Sequence, residues 1–171
     1  MVKPSDLIVL GTLTAGLVAA AAIDVRTRRV PNPLTGLLAL AGVVFAVTGI
    51  SGVTIGGAFA GFLLGMALML PGHLFGATGA GDVKLFAAVG SLLGPAPIFG
   101  AFLYTALAGG ALAIVVALHR RRLQHTVGRA ARLVAQKADA AEIEAPHENN
   151  RFPYAPAIAV GSILAAIGMV R

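Results

Sequence analysis

The apolar positions of this chain fall into six long blocks, separated by shorter polar segments. A helix needs roughly 20 apolar residues to cross a bilayer, with a range of about 17 to 25. The fourth block is too short for this, which indicates that it starts within the protein rather than at the lipid surface. The pattern predicts an all-α, polytopic membrane protein with about six transmembrane helices. The blocks are Leu7–Ile23, Leu34–Ile50, about Ile55–Leu70, Val83–Leu93, Ile98–Leu118 and Tyr154–Val170.

The composition supports this interpretation. The chain is 57% hydrophobic and 12% charged, with a mean hydropathy of +0.87, whereas a soluble domain carries about 25% charge. We therefore expect a single transmembrane domain over residues 1–171. The chain has no cysteine, which excludes disulfides, cysteine catalysis and thiolate zinc sites. Its four histidines lack the spacing of metal ligands, so no metal site is predicted.

The basic residues fix the expected orientation. If the chain crosses the membrane six times, eleven of its thirteen Lys and Arg residues fall on one side of the membrane, and only Lys3 and Arg171 fall on the other. Because cytoplasmic loops are rich in Lys and Arg, both termini are predicted to lie outside. The net charge of +6 then reflects cytoplasmic loops, and no nucleic-acid partner is expected. The eleven are Arg26, Arg28, Arg29, Lys84, Arg120, Arg121, Arg122, Arg129, Arg132, Lys137 and Arg151.

The only long polar segment spans residues 119–150, approximately. Leu123, Val127 and Val134 recur there at helical spacing with arginines between them. This pattern predicts a basic amphipathic helix lying on the anionic inner leaflet, with a solvated charged loop as the alternative.

In the third block, glycines recur every four residues at Gly57, Gly61 and Gly65, a spacing that lets two helices approach closely.

Two aspartates stand apart from the other acidic residues. Asp24 ends the first apolar block and Asp82 begins the fourth, both on the predicted cytoplasmic side at the membrane boundary. Acidic residues are rare in crossings, and those present tend to be functional. If two carboxylates approach to about 4 Å, their repulsion is of order 4 kcal/mol at an effective dielectric near 20. Such a pair shares one proton, which is the condition for aspartic-protease chemistry.

The surrounding residues suggest further roles. Gly79 and Gly81 are expected to admit a substrate backbone and to permit positive φ. Asp82 is expected to cap the fourth helix, where the helix dipole favours its charged form, whereas Asp24 lies at a C-terminal end. This predicts Asp82 as the base and Asp24 as the acid. Lys84 is expected to meet substrate or, preferably, lipid phosphate. The alternative is purely structural, with Asp24 paired to Arg28 and Asp82 a simple cap.

Three stretches in order resemble the prepilin peptidase family, the GxGD membrane aspartic proteases that process type IV pilins. They are DVRTRRVPN (Asp24–Asn32), GAGDVKLFAAVG (Gly79–Gly90) and FPYAPAIAVG (Phe152–Gly161). The resemblance implies that Asp24 and Asp82 form the catalytic pair and that a short basic leader is cut from a prepilin at the cytoplasmic face of the inner membrane. It implies no metal or cofactor.

The chain departs from larger members of that family, which carry an extra cytoplasmic domain that N-methylates the new pilin terminus. Asp24 follows the first apolar block directly and cysteine is absent, so the chain resembles the peptidase-only members of Flp (tight-adherence) pilus systems. Methylation is not expected. Two alternatives remain open at this point. One is a small proton- or cation-coupled transporter, and the other is a non-enzymatic membrane subunit of pilus assembly.

Overall fold

The computed structural model describes residues 3–119 and 153–169. Every regular element in these two ranges is a helix, so the predicted all-α fold is confirmed. Of the described helices, α1, α3 and the part of α5 over Pro95–Val115 are long and apolar enough to cross a membrane, and α2 and α6 are shorter apolar helices. The basic segment predicted at about 119–150 lies, beyond His119, outside the described residues. The helices are α1 (Pro4–Thr27), α2 (Asn32–Val47), α3 (Ile55–Leu74), α4 (Ala80–Leu93), α5 (Pro95–His119) and α6 (Ala155–Met169).

The turn between α1 and α2 follows from its sequence. Helix α1 ends at Arg28, which adopts the left-handed conformation (φ 53°, ψ 33°) and donates its N–H to the Asp24 carbonyl oxygen at 2.7 Å. Pro31 is extended (φ −66°, ψ 133°) and precedes the first residue of α2. A left-handed residue closes a helix end, and proline is well suited to positions flanking a helix start. The chain therefore reverses direction within a few residues of Asp24.

Helix α4 lies at the centre of the bundle. It contacts each of the other five described helices, and these form a closed ring around it in the order α1, α2, α3, α5, α6. Every residue from Leu85 to Leu93 is buried. Its 14 residues span about 21 Å at 1.5 Å per residue, against about 30 Å for the hydrocarbon core. The shortness of the fourth element is confirmed, and its start within the protein rather than at the lipid surface stays a prediction.

Small residues allow α4 to pack closely against α3. A Cβ atom on Gly61 would collide with the carbonyl oxygen of Gly90, and one on Gly65 would lie 2.8 Å from the carbonyl oxygen of Phe86. The prediction of close helix packing is thus confirmed for these two glycines. Gly57 differs, because a Cβ there would meet only Val53 and Thr54 in the preceding turn.

The two ends of the bundle carry different chemistry. Asp6 lines a small pocket with Ser51, Leu93 and Met169, where α1 begins and α4 and α6 end. The end of α1 and the starts of α4 and α6 lie at the opposite end. Asp24 and Asp82 therefore share one end of the bundle, and Asp6 occupies the other.

Replacing Gly61 by alanine is expected to destabilise the fold. The added methyl group would press on the α4 backbone at Gly90, and overpacking of this kind costs about 1–3 kcal/mol. Gly56→Ala is the matched control on the same helix, since a Cβ at Gly56 meets nothing within 4 Å. Thermal unfolding in detergent should show a lower midpoint for Gly61→Ala and no loss for Gly56→Ala. Equal midpoints for the two variants would contradict close α3–α4 packing.

Candidate active site

Asp24 lies in the last turn of α1 and is only 4% exposed. Its Oδ2 atom accepts a hydrogen bond of 3.1 Å from the N–H of Ala155, the first residue of α6. The backbone of Tyr154 also hydrogen-bonds this carboxylate. The first N–H groups of a helix have no partner within the helix, and the positive end of the helix dipole attracts an anion. Asp24 therefore acts as a cap for α6 from a distant part of the chain.

Asp82 lies in the first turn of α4 and is 6% exposed. Its Oδ2 atom accepts the N–H of Gly79 at 2.9 Å. The residue at the N-cap position is Gly79 rather than Asp82, and Gly79 is extended (φ −79°, ψ 154°). Asp82 thus caps the helix start through its side chain from the third helical position, as in one half of a capping box.

Both carboxylates accordingly face the start of a helix. The expectation that Asp24 is the acid rested on its position at the C-terminal end of α1. The N–H groups of Tyr154 and Ala155 oppose that effect, because they favour the charged carboxylate as Gly79 does for Asp82. Asp24 therefore lies between two helix ends of opposite effect, and the assignment of Asp24 as the acid and Asp82 as the base stays a prediction.

Tyr154 contacts Asp24 and lies within electrostatic range of Asp82. Its backbone hydrogen-bonds Asp24, and the negative charge of Asp82 acts electrostatically on its phenol. Burial raises the pKa of Tyr154, and the negative charge of Asp82 raises that pKa further, since both disfavour a phenolate. The phenol consequently stays neutral at physiological pH. The sequence reasoning missed Tyr154, although its place between Pro153 and Pro156 in the third family-like stretch was a usable signal.

The glycines before Asp82 do not adopt the left-handed conformation. Gly79 has negative φ and Gly81 lies within α4, and neither is among the described glycines with positive φ. The freedom of glycine to adopt positive φ is therefore not used at these two positions, and the admission of a substrate backbone stays a prediction. A Cβ on Gly81 would lie 3.1 Å from the Cβ of Val30, so Gly81 lets the α1–α2 turn pack directly on the start of α4.

Lys84 is the exposed residue on an otherwise buried stretch of α4. Its Nζ donates a 3.0 Å hydrogen bond to Oδ1 of Asn32, at the start of α2. With the contact between Gly81 and Val30, this bond joins the first two family-like stretches at the aspartate end. Phosphate binding by Lys84, as predicted from sequence, stays a prediction.

The loop before α4 is held by His73. Its Nδ1 lies 3.1 Å from the carbonyl oxygen of Thr78, immediately before Gly79. A histidine near the end of α3 thus fixes the loop that carries the Asp82 cap. The sequence analysis considered the histidines only as metal ligands and predicted no such contact for His73.

Compared with known protein families, residues 11–114 match the type IV leader peptidase family. The match covers more than half of the 171 residues and includes both aspartates. The chain belongs to the type IV leader peptidase family. Membership of this family implies a protease with a pilin-like substrate, and with the three long apolar helices it indicates a membrane protein. A search of curated proteins and a search of solved structures each give no match.

Mutation of Lys84 tests whether its hydrogen bond to Asn32 restrains the α1–α2 turn. Lys84→Met should loosen the α1–α2 turn, because a net hydrogen bond contributes about 0.5–1.5 kcal/mol. Limited trypsin digestion after Arg29 should then be several-fold faster. Lys84→Arg keeps a donor and should digest at close to the wild-type rate. If both variants digest at the same rate, the bond does not restrain the turn.

Proposed function

We propose that the chain is an aspartic endopeptidase that removes the short basic leader from type IV prepilin-like proteins at the cytoplasmic face of the inner membrane. One observation carries the proposal. Two buried carboxylates from distant parts of the chain, Asp24 and Asp82, lie at the same end of the helical bundle, and each accepts main-chain N–H groups at the start of a helix. Burying an acid at a membrane boundary is costly, and a pair of them is typical of a functional site.

The chemistry follows from one proton shared by the pair. The ionised aspartate takes a proton from water while the water oxygen attacks the carbonyl carbon of the scissile peptide. The protonated aspartate gives its proton to the carbonyl oxygen, so a neutral tetrahedral intermediate forms. This intermediate collapses as the C–N bond breaks. The aspartate that took the water proton gives it to the amine nitrogen, and the other, now ionised, aspartate takes a hydroxyl proton, which restores the starting state of the pair. The main-chain donors at each carboxylate favour an anion at either position, and the proposal leaves open which aspartate is the base.

The predicted orientation supports a cytoplasmic site. Arg26, Arg28 and Arg29 follow Asp24 directly, and Lys84 follows Asp82, so the aspartate end of the bundle is the basic end. Lys and Arg are retained in the cytoplasm, which is also where a basic leader stays. The site then meets the substrate where its leader joins its apolar helix. Methylation of the product is not part of this proposal.

Asp24→Asn and Asp82→Asn should each abolish leader removal. Asparagine keeps an oxygen that can accept the N–H of Ala155 or of Gly79, so capping is preserved while the titrating group is lost. The measurement is co-expression with a prepilin in a host without its own peptidase, followed by N-terminal sequencing of the pilin. Asp6→Asn is the matched control, because Asp6 lies at the other end of α1. A transporter or an assembly subunit predicts no processing by the wild-type chain, and near-normal cleavage by either variant would refute the mechanism.

The rate of processing should depend on pH at both ends of its range. A shared proton requires one carboxylate charged and the other neutral, so kcat/KM should follow a bell-shaped curve that belongs to the pair. The measurement uses purified enzyme in detergent with a synthetic prepilin peptide. A flat profile from about pH 4 to 9 would argue against a coupled pair.

A further inference from the structure

Tyr154 is seated on a glycine of the neighbouring helix. A Cβ atom on Gly109, in α5, would lie 2.6 Å from both Cε2 and Oη of the Tyr154 ring and 2.8 Å from Cζ. Real Cβ atoms do not approach other atoms this closely, so the ring occupies space that any other residue at 109 would fill. Gly110, the next residue, has nothing within 4 Å of an added Cβ. The absence of a side chain at Gly109 is therefore specific to the contact with Tyr154.

The backbone of Tyr154 defines where α6 begins. Its carbonyl oxygen accepts the N–H groups of Ala157 at 3.0 Å and Ile158 at 3.2 Å. Pro153 and Pro156 restrict the chain on both sides of it. The phenol ring of Tyr154, which packs on α5, and the first turn of α6 thus belong to one short, constrained segment. The backbone N–H groups of this segment donate to Asp24.

We propose that Tyr154, seated on Gly109, is a positioning residue that holds the start of α6 against Asp24 and keeps that carboxylate in register with Asp82. The ring fixes the segment to α5, and the segment's N–H groups fix the carboxylate. The electrostatic effect of Asp82 on the phenol agrees with this arrangement, since Asp82 lies at the same end of the bundle. The inference rests on the proposed function, because it assigns Asp24 a part in cleavage.

The kinetic test compares Gly109→Ala with Gly110→Ala. A methyl group at 109 forces the ring or its segment away from α5, and small misplacements of a catalytic group can cost up to about 100-fold in rate. We expect kcat for prepilin cleavage to fall at least about tenfold, with KM changed less than about twofold. Gly110→Ala should behave as the wild type. A rise in KM with unchanged kcat would overturn the proposal, because it would place Gly109 in substrate binding instead.

A double-mutant cycle separates this contact from other effects of the alanine. In a Tyr154→Leu background the clash is removed, so Gly109→Ala should change kcat by less than about threefold. An equal loss in both backgrounds would mean that Gly109 acts without Tyr154, and the proposal would fail.

A thiol-labelling test needs no activity, so it can fail independently of the proposed function. The chain has no cysteine, and Ala155 and Ala88 are both fully buried. A maleimide should label Ala155→Cys several-fold faster when Gly109→Ala is added, but not when Gly110→Ala is added. Ala88→Cys, in the core of α4, should stay unreactive throughout. Unchanged labelling at position 155, or equal increases at both positions, would refute local displacement of the α6 start. Cleavage by Asp24→Asn would instead refute the proposed function and leave the labelling result standing.

Discussion

Two carboxylates are kept out of water in this fold because main-chain N–H groups at the starts of two helices take the place of that water. Asp24 receives them from Tyr154 and Ala155, and Asp82 from Gly79. An unsolvated carboxylate without such donors would be strongly destabilising. The remaining architecture supplies the conditions for these bonds. The start of α6 must meet the end of α1, and the first turn of α4 must bury Asp82 against its neighbours.

The central position of α4 accounts for the burial of Asp82. Helix α4 has 14 residues and contacts the other five described helices. Asp82 in its first turn is therefore buried near one end of the bundle rather than in the middle of a crossing. The closeness of α3 and α4 depends on Gly61, Gly65 and Gly90, whose missing side chains let backbone meet backbone. The contact between Gly81 and Val30 and the bond between Lys84 and Asn32 then close the α1–α2 turn over the start of α4.

Much of this architecture could be predicted from sequence, because apolar length and period depend on residue type alone. The features predicted in this way are the helices, the short fourth helix and the close packing of helices at Gly61 and Gly65. The family-like stretches also led directly to Asp24 and Asp82. Main-chain donors are not visible in the identity of a side chain, so the capping of Asp24 by α6 could not be predicted. Gly79 and Gly81 do not use the positive φ that glycine permits, and close packing against Val30, rather than turn geometry, accounts for the glycine at position 81.

The enclosure of α4 also bears on how the protein responds to its membrane. A bilayer that is thicker or thinner than the protein acts on surfaces that touch acyl chains, through tilting and local stretching or thinning. Large apolar side chains such as Leu37, Leu63 and Leu107 are exposed on the ring helices, whereas α4 is buried from Leu85 to Leu93. Hydrophobic mismatch with the bilayer therefore acts on the five helices that surround α4. The depth of Asp82 is set by protein contacts, whereas Asp24 lies on the ring helix α1, so a change in lipid composition acts on the pair through Asp24.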